Sequence, residues 1–185
     1  MHQKLNNEQL GIYSQIVLAV EVGQVATLLV DGHAGHEKTF VVNAVLSTLC
    51  GCGMIVLPCA TTVLAAQNYR GSCTAHSLFH IPIERDKLGL RCNVVAGTDR
   101  AELLSKTSLI VWDELPMANR AVVEAVDIML CELCGIDQPF GGKVFVGIGG
   151  FRQVAPVVPG VGHLQTILES LKALPLWRSF NVLDL

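Results

Sequence analysis

The sequence predicts an α/β fold, a doubly wound and mostly parallel sheet flanked by helices, within a single domain. Three observations predict it. Short apolar runs at 26–30, 54–57, 108–112 and 143–148 alternate with longer stretches whose apolar residues recur at helical spacing. The first run ends in Asp31-Gly32, followed by a loop containing Gly35 and then by Lys38-Thr39. The third ends in Asp113-Glu114. Both polar clusters therefore fall at the carboxyl ends of strands, where open α/β sheets bind their ligands.

Taken in order, Leu5, Leu10, Ile12, Ile16, Val17 and Val20 have a spacing close to one face of an opening helix that Asn6 or Asn7 can cap and Gly23 ends. A strand at Ala26–Val30 leads into the glycine loop. The helix starting near Lys38 carries Val41, Val42, Val45, Leu46 and Leu49 and stops around Gly51. A strand at Met54–Leu57 and a short helix holding Ala65 and Ala66 come next. Gly71 to Ser77 is small and polar and reads as a loop with exposed hydroxyls. Residues 84–97 are mixed and carry the charge cluster Glu84-Arg85-Asp86-Lys87, an irregular and solvated excursion, after which Asp99 caps a helix through Leu104. Ser108–Trp112 has the continuous apolar character of a strand buried on both faces. Val122, Val126, Met129, Leu130 and Leu133 define a helix over 118–134, Gly141-Gly142 introduces a strand at Lys143–Ile148, a helix follows at about 163–174, and an apolar run closes the chain at 180–185.

Composition sets limits. With 185 residues, 51% of them apolar, the chain can bury a sizeable core. No apolar run approaches the length of a membrane span, and the opening residues lack a secretory segment, so the product is expected inside the cell, without membrane contact. Seven cysteines, an odd number, suggest reduced thiols in a cytosolic, nuclear or matrix setting. A formal charge of −3 gives no global attraction for nucleic acid, so any such binding is local and modest. Cys131 and Cys134 lie three apart on a predicted apolar helix, which points to buried thiols rather than zinc. Cys73, His76 and His80 form only a partial ligand set.

The chemistry sits in two motifs. In a loop of the form G-x-x-x-x-G-K-[ST], backbone N–H groups cradle phosphates, the lysine reaches the outer ones, and the hydroxyl holds Mg²⁺. Gly32, Lys38 and Thr39 are in register with it, whereas Glu37 stands at the second glycine. A strand ending in Asp-Glu supplies a carboxylate for Mg²⁺ and a general base for water. Together they point to a nucleoside-triphosphate site. The Asn-Lys-x-Asp motif of guanine-specific proteins is missing from the sequence.

Several short motifs in this order resemble the Pif family of superfamily-1 DNA helicases, including the helicase-like proteins of Helitron transposons. Leu5-Asn6-x-Glu8-Gln9 is similar to the family's adenine-recognising glutamine motif, and Asp31-Gly32-x-Ala34-Gly35-x-x-Lys38-Thr39-Phe40 to its phosphate loop. Gly71-x-x-Thr74-Ala75-His76-Ser77 resembles a DNA-contacting motif, and Trp112-Asp113-Glu114-x-Pro116-Met117 the Mg²⁺- and water-handling motif. Pro139-Phe140-Gly141-Gly142-Lys143, Phe151-Arg152-Gln153-Val154-x-Pro156-Val157 and Pro175-Leu176-Trp177 also recur. The resemblance runs essentially end to end.

It implies a RecA-like P-loop lobe, with an adenine-motif helix in 1–24 and the core in 25–185, and no second helicase lobe within these residues. The implied cofactors are ATP and Mg²⁺. Lys38 and Thr39 take phosphate and metal, Asp113 takes metal, Glu114 acts as base, and Gln153 senses the γ-phosphate. Gln9, Gly32 and Gly35 complete the nucleotide site, while Thr74, His76 and Ser77 face single-stranded DNA. The implied activity is ATP-driven 5′ to 3′ unwinding in repair, recombination and telomere maintenance, in the nucleus or mitochondrion, with other helicase subunits as further partners. Three residues depart from the pattern inside the loop, His33, His36 and Glu37, and Gly150 replaces an aspartate before Phe-Arg-Gln. Two further readings stay open: a remnant that folds without hydrolysing ATP, and a module that binds nucleic acid or another protein.

Overall fold

A computed structural model describes residues 5–32, 37–83, 89–150 and 171–185. Helix α1 (Asn7–Glu21) starts in a capping box: Asn6 Oδ1 accepts from the Gln9 N–H at 2.8 Å, and Gln9 Oε1 accepts from the Asn6 N–H at 3.0 Å. Strand β1 (Ala26–Asp31) leads toward α2 (Glu37–Gly51). Strand β2 (Val56–Ala60), α3 (Val63–Ala66), β3 (Cys73–Thr74) and α4 (Ala75–Phe79) follow, then α5 (Asp99–Lys106), β4 (Leu109–Asp113), α6 (Arg120–Cys134), β5 (Val144–Ile148) and β6 (Phe180–Asp184).

The six strands form one sheet in the order β3-β2-β4-β5-β1-β6, with every neighbouring pair parallel. Side chains alternate between its faces, as the two-residue period of a strand requires. Leu28, Val30, Val111, Val146 and Ile148 pack with α1 and α2. Leu29, Ile110, Trp112 and Phe145 pack with α4, α5 and α6 on the other face. Burying each such side chain contributes about 1.5–3 kcal/mol, and Trp112, Phe79, Phe140 and Phe145 are the largest of those fully buried.

Four expectations about the elements change. Strand β2 runs two or three residues later than 54–57, through Pro58, because two-residue β3 pairs only Cys59 and Ala60 and leaves the Pro58 nitrogen facing no ladder. The stretch read as a polar loop at 71–77 is strand β3 turning into α4, with the Thr74 hydroxyl capping that helix by accepting from the Ser77 N–H. Thr98, not Asp99, caps α5, and Asn119 caps α6. Cys131 and Cys134 are half-buried rather than packed away, and the Cys131 thiol donates to the Gln138 carbonyl at 3.1 Å. The helix expected at 163–174 lies mostly outside the described residues; within them, Leu171–Ala173 form a 3₁₀ turn.

Candidate functional site

The register of the sheet places the predicted site residues along one edge. Thr74, Ala60, Asp113, Ile148 and Val30 form a single row across β3, β2, β4, β5 and β1, all at the carboxyl end. With neighbouring strands about 4.8 Å apart, Thr74 and Asp113 stand about 10 Å from each other. Asp31 and Gly32 continue β1 beyond the row. A Cβ on Gly32 would lie 2.6 Å from the Leu185 carbonyl oxygen, so only glycine lets the residue after β6 approach the start of the loop.

Lys38 and Thr39 occupy the first turn of α2. The Lys38 ammonium donates to the Gly32 carbonyl at 2.7 Å, folding its side chain back over the loop entrance. Its charge also reaches Asp113, whose carboxyl it pulls toward ionisation. Asp113 is buried, and that burial raises its pKa above the ordinary carboxylate value despite two hydrogen bonds. One comes from the Glu114 N–H to Oδ1 at 2.8 Å, and the other from the Tyr69 hydroxyl to Oδ2 at 2.7 Å. Tyr69 is also hydrogen-bonded to the Thr39 side chain. Burial and the neighbouring Asp113 charge drive its phenol pKa upward, so it remains protonated.

Glu114 sits in the left-handed region, φ 56°, where a residue with a Cβ is strained. Its backbone turns the chain from β4 into the 3₁₀ segment Leu115–Met117, which packs on β5 at Gly147; any Cβ there would collide with Leu115. Two threonines following β2 fix the acid in place. Thr61 donates to the Glu114 carbonyl at 2.9 Å and accepts from the Trp112 indole at 3.0 Å, while Thr62 donates to Glu114 Oε2 at 2.6 Å. Sequence reasoning singled out none of Thr61, Thr62 and Tyr69; the available signal was a pair of hydroxyls directly after the strand beside Asp113-Glu114.

A hard divalent cation fits this donor set. Mg²⁺ takes oxygen ligands, keeps much of its water, and is held by one or two carboxylates plus substrate phosphates. Asp113 and Thr39 supply such oxygens, joined through one phenol, beside a lysine. Among the described residues no three His, Cys, Asp or Glu side chains gather into an all-protein metal site. No helix among them is long and apolar enough to cross a membrane.

The other predicted residues are placed as follows. Gln9 is buried, its side-chain carbonyl engaged in the α1 capping box. His76 and Ser77 are exposed on the first turn of α4, beside the capping Thr74. Gly35 and Gln153 lie outside the described residues.

The PIF1-like helicase profile matches residues 4–185. The chain belongs to the Pif1-like helicase family. It is 32% identical over 135 residues to the ATP-dependent DNA helicase Pif1 of Psychrobacter sp., an alignment covering 70% of this chain and 20% of that helicase. Bacteroides sp. Pif1 in complex with ADP-AlF4 superposes with a TM-score of 0.74 at 26% identity, covering 98% of this chain and 41% of that one. Bacteroides Pif1 bound to ssDNA gives 0.73 at 25% identity, over 98% and 42%. The all-parallel sheet with its flanking helices thus matches the RecA-like lobe of Pif1 helicases, and the chain spans less than half the length of these relatives.

Proposed function

We propose that this chain is the nucleotide-binding lobe of a Pif1-type ATP-dependent DNA helicase, taking Mg²⁺-ATP at the carboxyl edge of the sheet. One observation carries the reading: Lys38 and Thr39 from one strand-helix unit meet Asp113 and Glu114 from another, with Tyr69 between Thr39 and Asp113 and Thr62 hydrogen-bonded to Glu114. Lys38 binds the outer phosphates, while Thr39 and Asp113 hold the metal. Mg²⁺, when bound, neutralises charge on the transferred phosphoryl group. Glu114, oriented by Thr62, takes the proton of the attacking water. Gln153 senses the γ-phosphate, Gln9 reads adenine, and Gly32 with Gly35 shapes the loop.

Thr74, His76 and Ser77 offer hydroxyl and imidazole contacts to single-stranded DNA one strand beyond β2. Partial desolvation lowers the His76 pKa and so disfavours the charged ring that would offer phosphate a counter-charge. Binding by this segment is therefore weak, with a shallow salt slope of about one to three phosphates. Unwinding needs this lobe to work against a second one, in the same or another polypeptide, and the compartment this reading assigns to the chain is the nucleus or mitochondrion.

A second reading, a remnant that folds without turnover, is favoured by Glu37 at the amino end of α2. Glu37 stands at the sequence position where the phosphate loop has glycine, and its charge has the same sign as the phosphates. ATP hydrolysis measured with and without single-stranded DNA separates the two. The motor lobe predicts turnover that DNA stimulates and Lys38→Ala or Glu114→Gln abolishes; the remnant predicts none in any variant.

A further inference from the structure

Tyr69 takes no chemical step in hydrolysis, yet it touches both residues assigned to the cation. Its side chain comes from the connection after α3, is 4% exposed, and donates to Asp113 Oδ2 at 2.7 Å while hydrogen-bonding the Thr39 side chain. Asp113 Oδ1 is meanwhile occupied by the Glu114 N–H. One phenol oxygen thus stands between the two side chains assigned to the cation. The phenol therefore occupies space that a cation held by both side chains would need.

We propose that Tyr69 is a competitor for the cation site: its hydroxyl links Thr39 to Asp113, and it must withdraw before Mg²⁺ bridges them, which lowers cation affinity. This rests on the assignment of Thr39 and Asp113 to metal. The competition is local and specific, because Tyr69 carries no charge of its own and acts only through the two hydrogen bonds that the ion replaces. It also ties cation entry to the chain between α3 and β3, which leads directly to Thr74.

The test uses Mn²⁺ as probe, titrated into the native chain, Tyr69→Phe and Asp113→Asn, with free ion followed by electron paramagnetic resonance in the presence and absence of ADP. Removing one hydrogen bond to a carboxylate should tighten Mn²⁺ binding by Tyr69→Phe about tenfold, and Asp113→Asn should lose it. Equal or weaker binding by Tyr69→Phe overturns the proposal. If Asp113→Asn then still loses the ion, the metal assignment survives without the competitor; if it binds like the native chain, the assignment falls as well. A second readout needs no substitution. The chain has two tyrosines, and Tyr13 is hydrogen-bonded to Thr48 on α2. With ¹³Cζ-labelled tyrosine, Mg²⁺ should shift the Tyr69 resonance and leave that of Tyr13 in place; an unmoved Tyr69 signal overturns the proposal.

Discussion

Thr62 Oγ1 donates to Glu114 Oε2 at 2.6 Å and accepts from the Ala65 N–H at 3.2 Å, so one hydroxyl both caps α3 and aims the candidate base. Replacing it by valine keeps the shape and removes both bonds. Thr62→Val should lower single-turnover ATP hydrolysis about tenfold, in the range for a misaligned general base, and leave the ATP dissociation constant within about twofold, since Thr62 touches no assigned phosphate or metal ligand. Thr62→Ser should restore most of the rate. A loss of ATP affinity equal to the loss of rate would place Thr62 in binding instead.

Lys143 is a buried cation with a structural task. It is 8% exposed, and its ammonium donates to the carbonyls of Ser105 and Thr107 at 2.8 and 3.1 Å, closing the carboxyl end of α5 where the helix dipole favours positive charge. Lys143→Met should cost about 2–3 kcal/mol by urea denaturation, because it strands carbonyls out of water. Nucleotide binding should not change, since Lys143 lies at the opposite end of the sheet from Asp113.

Asp127 makes stability depend on pH. Its Oδ1 accepts from the Phe140 N–H at 2.6 Å, anchoring a turn in which Phe140 stacks on Phe145. Burial nevertheless raises the carboxyl pKa, helped by the charges of Glu124 and Asp137 and opposed by the Phe140 N–H and the Cys131 thiol. The folded chain therefore holds this proton more tightly than the unfolded one. The resulting stabilisation is fully present below the unfolded value of about 3.9 and is lost as pH rises through the raised folded value. Asp127→Asn, which keeps the acceptor without the charge, should be at least as stable as the native chain at pH 7. Its advantage should vanish near pH 3. Asp127→Ala should cost about 1–3 kcal/mol at pH 7 by orphaning the Phe140 N–H.

Much of the architecture was legible because strands buried on both faces, such as Leu109–Asp113, are continuous apolar runs that few other elements mimic. Asp113 and Glu114 were legible because they stand where a strand ends, and Lys38 because it follows a glycine-containing loop in register with Gly32. Thr98 and Asp99 are both good caps side by side, and only the hydrogen bond to Ala101 distinguishes them. Strand β2 runs on through Pro58, beyond the expected 54–57, because its neighbour β3 is short, and that is a tertiary fact. Tyr69 had no motif at all. Its phenol reaches Asp113 across 44 positions of sequence, and nothing in local spacing announces that contact.

Glu37 bears most directly on the central claim, that this lobe is an anion site built for Mg²⁺-ATP. A carboxylate about 4 Å from a phosphate charge costs roughly 4 kcal/mol at an effective dielectric near 20, or about a thousandfold in affinity. Calorimetric titration of Mg²⁺-ATP into the native chain, Glu37→Gly, and Glu37→Gly with Lys38→Ala measures it. The account predicts weak native binding, a gain in Glu37→Gly that shrinks as salt rises, and loss of that gain when Lys38 is removed. Micromolar native binding that neither substitution alters would contradict it.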